Sequence, residues 1–215
     1  MQDPLSQLRA HAGLQRPVSP PRVFLLSPAN CGGERASLLF AAGASFDLAR
    51  RLRAAEGVAL GEVFSFLSSL YFRGKLAYAE RFGMPLVITP DAGLRPPDDR
   101  VTLATLRASA RVDIHAGNAR YLRPLLASAR AVAATLGPEA PVTLLGSIAS
   151  DKYVAALLEV FGPRLTFPAA FVGRGDMSRG GLLLRAVRAG AELDYVPVAG
   201  AIRRGARPPR LAPVR

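Results

Sequence analysis

Four loops carry most of the residues in this chain that could do chemistry. Ser27-Pro28-Ala29-Asn30-Cys31-Gly32-Gly33 follows one short apolar run. Thr89-Pro90-Asp91-Ala92-Gly93 follows the second, and Gly146-Ser147-Ile148-Ala149-Ser150-Asp151-Lys152 the third. The segment from Gly173 to Gly181 follows the fourth and is the richest in glycine. Glycine-rich turns that open a helix let a backbone approach an anion closely and present free N–H groups to it. Gly173, Gly175 and Gly180 would serve that purpose. Arg174 and Arg179 would add bidentate donors for a phosphate, a carboxylate or a base edge, and Ser178 a hydroxyl. Ser27, Asn30, Gly146, Ser147 and Lys152 are expected to contact the same ligand. Asp91 and Asp176 are the carboxylates available to activate water or to stabilise an oxocarbenium ion. Cys31 at its Gly-Gly turn is a minority nucleophile, since no histidine lies near it in sequence. His115 reads as a surface or turn residue. The segment is neither a P-loop nor a dinucleotide fingerprint.

These loops can meet only if the elements before them run parallel. Val23-Phe24-Leu25-Leu26, Leu86-Val87-Ile88-Thr89, Val142-Thr143-Leu144-Leu145 and Leu165-Thr166-Phe167 read as buried strands, with Tyr195-Val196-Pro197-Val198 an edge strand. Helical spacing lies between them. Residues 34–56 hold helical pieces. Phe64, Leu67, Tyr71, Tyr78 and Phe82 form a stripe over 61–83, interrupted by Gly74 as a close contact or a break. Residues 121–136 form a helix with Pro124 in its first turn. Ser150 caps a third helix, and Leu182 to Ala189 is a fourth. The alternation predicts an α/β fold: a three-layer, Rossmann-like open sheet, mostly parallel, of four to five strands. Ligands then bind outside the carboxyl ends of the strands.

Composition sets the bounds. The chain has 215 residues, half of them apolar and 20% charged, which fits one globular domain. A Pro-rich flexible leader (1–22), a domain over 23–200 and an Arg/Pro-rich basic tail (201–215) are expected. No run suits a membrane span, and the N-terminus lacks a secretory pattern, so the expectation is cytoplasmic. One cysteine excludes an internal disulfide and a multi-cysteine zinc site, and two histidines exclude a His-rich one. No metal and no cofactor are expected. The net charge is +12, and 26 of the 28 basic residues are arginine. More than half of the excess lies in the two ends, which would attract phosphate through counterion release.

Three segments resemble a bacterial domain family of unknown function with a uracil-DNA-glycosylase-like sheet. Related architecture occurs in the amino-terminal part of archaeosine synthase and in peroxide-stress proteins. The segments are Leu70 to Glu80, Leu86 to Asp98, and Asp151-Lys152-Tyr153-Val154 through Phe167-Pro168 to Gly180-Gly181-Leu182, together spanning about 23–190. Ser27-Pro28-Ala29-Asn30 stands where such families carry a lysine element, and the histidine loops of uracil-DNA glycosylases are absent. The resemblance implies the fold. The expected partner is a nucleobase, nucleotide or nucleic acid bound at the rim, with an N-glycosidic bond as the candidate point of reaction. The alternative is a non-catalytic module that binds an acidic partner through its Arg-rich ends.

Overall fold

A computed structural model describes residues 22–211. The leader up to residue 21 and residues 212–215 lie outside it. Strand β1 (Val23–Leu26) and β6 (Val142–Leu145) are buried along their whole length; β1 is an unbroken apolar run, and β6 has one polar residue, Thr143, whose hydroxyl meets that of Thr166. Between them come α1 (Glu34–Phe40), α2 (Asp47–Arg53), β2 (Val58–Ala59), α3 (Leu60–Phe82), β3 (Met84–Thr89), β4 (Gly93–Arg95), β5 (Arg100–Val101), α4 (Leu103–Ala110) and α5 (Ala119–Thr135). After β6 follow α6 (Asp151–Phe161), β7 (Leu165–Pro168), α7 (Asp176–Ala189) and β8 (Tyr195–Pro197), with short 3-10 turns flanking β7.

The main sheet is mixed and mostly parallel, in the order β4-β3-β1-β6-β7-β8. β1 pairs in parallel with both β3 and β6, so Leu25 lies between Leu86 and Leu144. β7 continues the parallel set, and antiparallel β4 and β8 close the two edges. The fold is therefore α/β, with six strands where the apolar runs suggested four or five. Gly93–Arg95, a strand of three residues, has no apolar run to show. β2 and β5 form a separate antiparallel pair. Among the described residues no helix is long and apolar enough to cross a membrane.

Four helix assignments change. Residues 103–110 form a helix that went unread, since only Leu106 in it is buried. α5 begins at Ala119, with the Asn118 side chain accepting from the Arg120 N–H, so Pro124 sits in the second turn. α7 begins at Asp176, so Arg179, Gly180 and Gly181 belong to a helix and not to a loop. In α3 the break falls at Ser69 (φ 51°, ψ −130°), a left-handed φ that a non-glycine residue rarely adopts. Gly74 is instead a contact: a Cβ there would lie 2.7 Å from the Gly180 carbonyl oxygen. α3 and α7 cross backbone to backbone at these two glycines.

Many arginines are spent on the fold. Arg35, Arg53, Arg100, Arg107, Arg164, Arg174 and Arg179 all donate to backbone carbonyls. Arg53 alone reaches the carbonyls of Leu39, Ala41, Ala44 and Ala49, tying the α1–α2 connection to α2. Arg22, the last residue of the expected leader, stacks on Tyr195 and pairs with Glu192. The basic excess is thus partly a stock of planar donors for loop carbonyls.

Candidate functional site

The parallel strands bring residues of all four expected loops to one rim, around a cavity of about 630 Å³: Ser27 to Gly32, Pro90, Ser147 with Ser150 and Lys152, and Asp176 line it. Its floor is Lys75, in the middle of α3. Only 1% of this lysine is exposed. Its Nζ lies 2.6 Å from the Ser27 carbonyl oxygen and 2.8 Å from Ser27 Oγ. It also sits over the rings of Tyr71 and Phe72, at 4.5 and 4.9 Å. Burial pulls its pKa down to about 7; nearby Asp176 opposes that shift and Arg179 adds to it. The Asp176 Oδ1 accepts from Arg179 at 3.3 Å. A large share of Lys75 is therefore the free amine at neutral pH.

Two tyrosines complete the floor. Tyr153, on α6, donates to the Ser147 carbonyl at 2.9 Å, and its hydroxyl also interacts with Ser27. Burial pushes its pKa up to about 12. Gly146 makes this meeting possible: a Cβ there would lie 2.8 Å from the Ser27 Cβ and 2.9 Å from the Tyr153 oxygen. Tyr71 faces the cavity with a buried hydroxyl whose polar neighbour is Arg179. Its pKa is raised by burial and drawn back by the Arg179 charge.

The walls suit an anion. The N-terminus of α6 opens onto the cavity with Ser150 as N-cap, and the Ser150 side chain makes no capping bond. First-turn N–H groups have no acceptor within their own helix and carry a partial positive charge. Lys152 and Arg111 also line the cavity, as do the carboxylates of Asp113 and Asp176.

Of the residues expected to act, Ser27, Asn30, Ser147, Lys152 and Asp176 line the cavity. Asn30 shapes the turn by accepting from the Gly32 N–H at 3.0 Å. Asp91 stands apart from the cavity wall and accepts from Ser109 Oγ at 2.8 Å. The glycine-rich segment is mostly occupied elsewhere. Gly173 has φ +72°, and a Cβ there would strike the Ala206 carbonyl oxygen at 2.1 Å. Arg174 holds the Ala170 and Pro209 carbonyls and Ser178 Oγ, and Gly175 is the N-cap of α7. Arg179 donates to the Phe171 carbonyl, and Gly180 is the helix crossing. Residues 201–211 lie over this segment, and Arg203 pairs with Asp151 at the start of α6.

Cys31 is buried, and its thiol is pushed up to about 12 by burial and the Asp91 charge. A thiolate is the reactive form, so native protein is expected to resist iodoacetamide at pH 7.5 and to react fully once denatured. Rapid native alkylation, read by mass, would refute that placement.

Lys75 and Arg111 were not among the expected site residues. A signal for Lys75 was present. The apolar stripe runs 64, 67, 71, 78, 82, and position 75 completes its spacing. A lysine on the buried face of an amphipathic helix, in a chain with two lysines, is an anomaly that sequence alone can show. Among the described residues no cluster of three His, Cys, Asp or Glu could hold a metal ion. No family model, no curated protein and no solved structure matches the chain.

Proposed function

We propose that the rim cavity binds a nucleobase or nucleotide and that the protein is an enzyme acting there, with an N-glycosidic bond as the candidate point of reaction. The carrying observation is Lys75, a buried amine that faces a nucleotide-sized cavity and is hydrogen-bonded, among the described residues, to the neutral oxygens of Ser27. A structural lysine would snorkel to water or pair with an acid. In a three-layer Rossmann-like arrangement the chain turns to opposite sides at β1, and ligands seat at such switch points. Ser27 follows β1 and Ser147 follows β6 there. Tyr71 and Tyr153 offer ring faces and hydroxyls to a base. The α6 N-terminus, Lys152 and Arg111 would hold the phosphate. Asp176 is the carboxylate at the wall.

Calorimetry with nucleosides, nucleoside 5′-monophosphates and inorganic phosphate tests this. A monophosphate is expected to bind at least tenfold more tightly than its nucleoside. Lys152→Ala and Arg111→Ala should each remove most of that advantage. No heat from any of them at millimolar concentration would end the reading.

A second reading rests on the exposed Arg204, Arg207 and Arg210 of the C-terminal segment. They form a basic edge for an acidic partner. Changing all three to Gln should leave nucleotide binding intact and flatten the salt dependence of duplex binding in fluorescence anisotropy. An unchanged salt slope would remove this reading.

A further inference from the structure

We infer that Lys75 is an imine-forming residue, whose Nζ adds to the anomeric or aldehyde carbon of a phosphorylated sugar held in the rim cavity. The inference deepens the nucleotide reading and rests on it for the identity of the sugar. Its structural basis is the seat of the amine. The two protein hydrogen-bond partners of Nζ are both on Ser27, and the cavity opens on it. The charged groups nearest to it are Asp176 and Arg179, both on α7 and hydrogen-bonded to each other. Tyr71 and Phe72 on its own helix and Tyr153 on α6 complete the enclosure. Among the described residues no carboxylate hydrogen-bonds Nζ; its proton is held only by the neutral oxygens of Ser27 and the Tyr71 and Phe72 ring faces. Free amines in such desolvated seats are nucleophiles.

For an N-glycoside the step balances as follows. The Nζ lone pair forms a bond to the anomeric carbon, and the bond from that carbon to the base nitrogen breaks. The departing base takes its electron pair and one of the two amine protons. The ring C–O bond then opens, its oxygen takes the second amine proton, and an imine remains. Water adds to the imine carbon, returning both protons to Nζ and releasing the sugar aldehyde. Ser27 Oγ, between Nζ and the Tyr153 hydroxyl, is placed to relay these protons.

The lysine count makes the test clean, because Lys75 and Lys152 are the chain's two lysines. Lys152 is exposed and serves as the internal reference. Full-length protein would be treated at pH 7 with 2-deoxyribose 5-phosphate and sodium cyanoborohydride, whose hydride reduces the imine to a stable secondary amine. Peptide mapping reads the adduct. Lys75 is expected to be modified at least tenfold faster than Lys152. Ser27→Ala should slow the Lys75 adduct several-fold, and Lys75→Arg should abolish it. Modification of Lys152 with Lys75 untouched would overturn the inference. Propanal, run in parallel, separates the two claims. Propanal addition at Lys75 without sugar-phosphate addition would uphold the reactive amine and remove the nucleotide reading.

Discussion

Between pH 6 and pH 9 the protein is expected to gain stability relative to its Lys75→Met variant by about 2–3 kcal/mol. The folded pKa of Lys75 is about 7 against an ordinary 10.5. Below pH 7 both the folded and unfolded states carry the proton, and the folded state bears the full cost of a buried charge. Between 7 and 10.5 the unfolded chain binds more protons than the folded one, so stability rises with pH. The Cys31 thiol, raised from 9.0 to about 12, acts oppositely from pH 9 upward. It is present in both proteins and cancels in the difference. Methionine fills most of the volume but leaves the Ser27 carbonyl without its donor, so the absolute offset between the proteins mixes two effects. The slope does not. Urea denaturation at pH 6, 7, 8 and 9 reads it. A difference flat across that range would mean that Lys75 keeps its proton in the fold.

The second large effect concerns the scaffold under the amine. Gly180→Ala should cost at least about 2 kcal/mol, although alanine favours helix over glycine by about 1 kcal/mol. The new methyl would meet the Leu70 carbonyl oxygen and the Tyr71 Cα, each at 2.8 Å. Both belong to backbone, so relief requires α3 and α7 to separate. Gly181→Ala is the control. It lies on the same helix, and its Cβ would meet only Leu211 Cδ1 at an ordinary 3.5 Å. There the propensity gain should show as neutral or raised stability. Equal behaviour of the two variants in urea would refute the close crossing. The crossing also has a chemical consequence. Gly74 precedes Lys75 and Gly180 follows Arg179, so the contact that locks the helices sets the distance between the amine and the Arg179–Asp176 pair.

The parallel sheet was legible because four-residue apolar runs bounded by turn residues have few other homes. Convergence of the loops at one rim followed from that, and Ser27, Asn30, Ser147, Lys152 and Asp176 were placed by it. The glycine-rich segment misled, because glycine serves close helix packing and backbone contact as readily as ligand approach. Gly180 and Gly173 do the former two, and only their partners in space, Tyr71 and Ala206, reveal it. A lysine at position 75 stands out on its stripe, but its chemistry was hidden for a related reason. Its neighbours on the stripe describe a core face, and sequence does not say that this face opens onto a cavity beyond Ser27. The depressed pKa is a property of that enclosure, so it became visible only with the fold.

The most direct measurement is a titration of the lysine side chains themselves. Protein labelled with ¹³C-lysine gives two ε-methylene signals in a carbon–proton correlation spectrum, assigned with Lys75→Met. The Lys75 signal is expected to move with a midpoint near pH 7. A Lys75 signal still unshifted at pH 9 would show a fully charged ammonium and contradict the account at its centre.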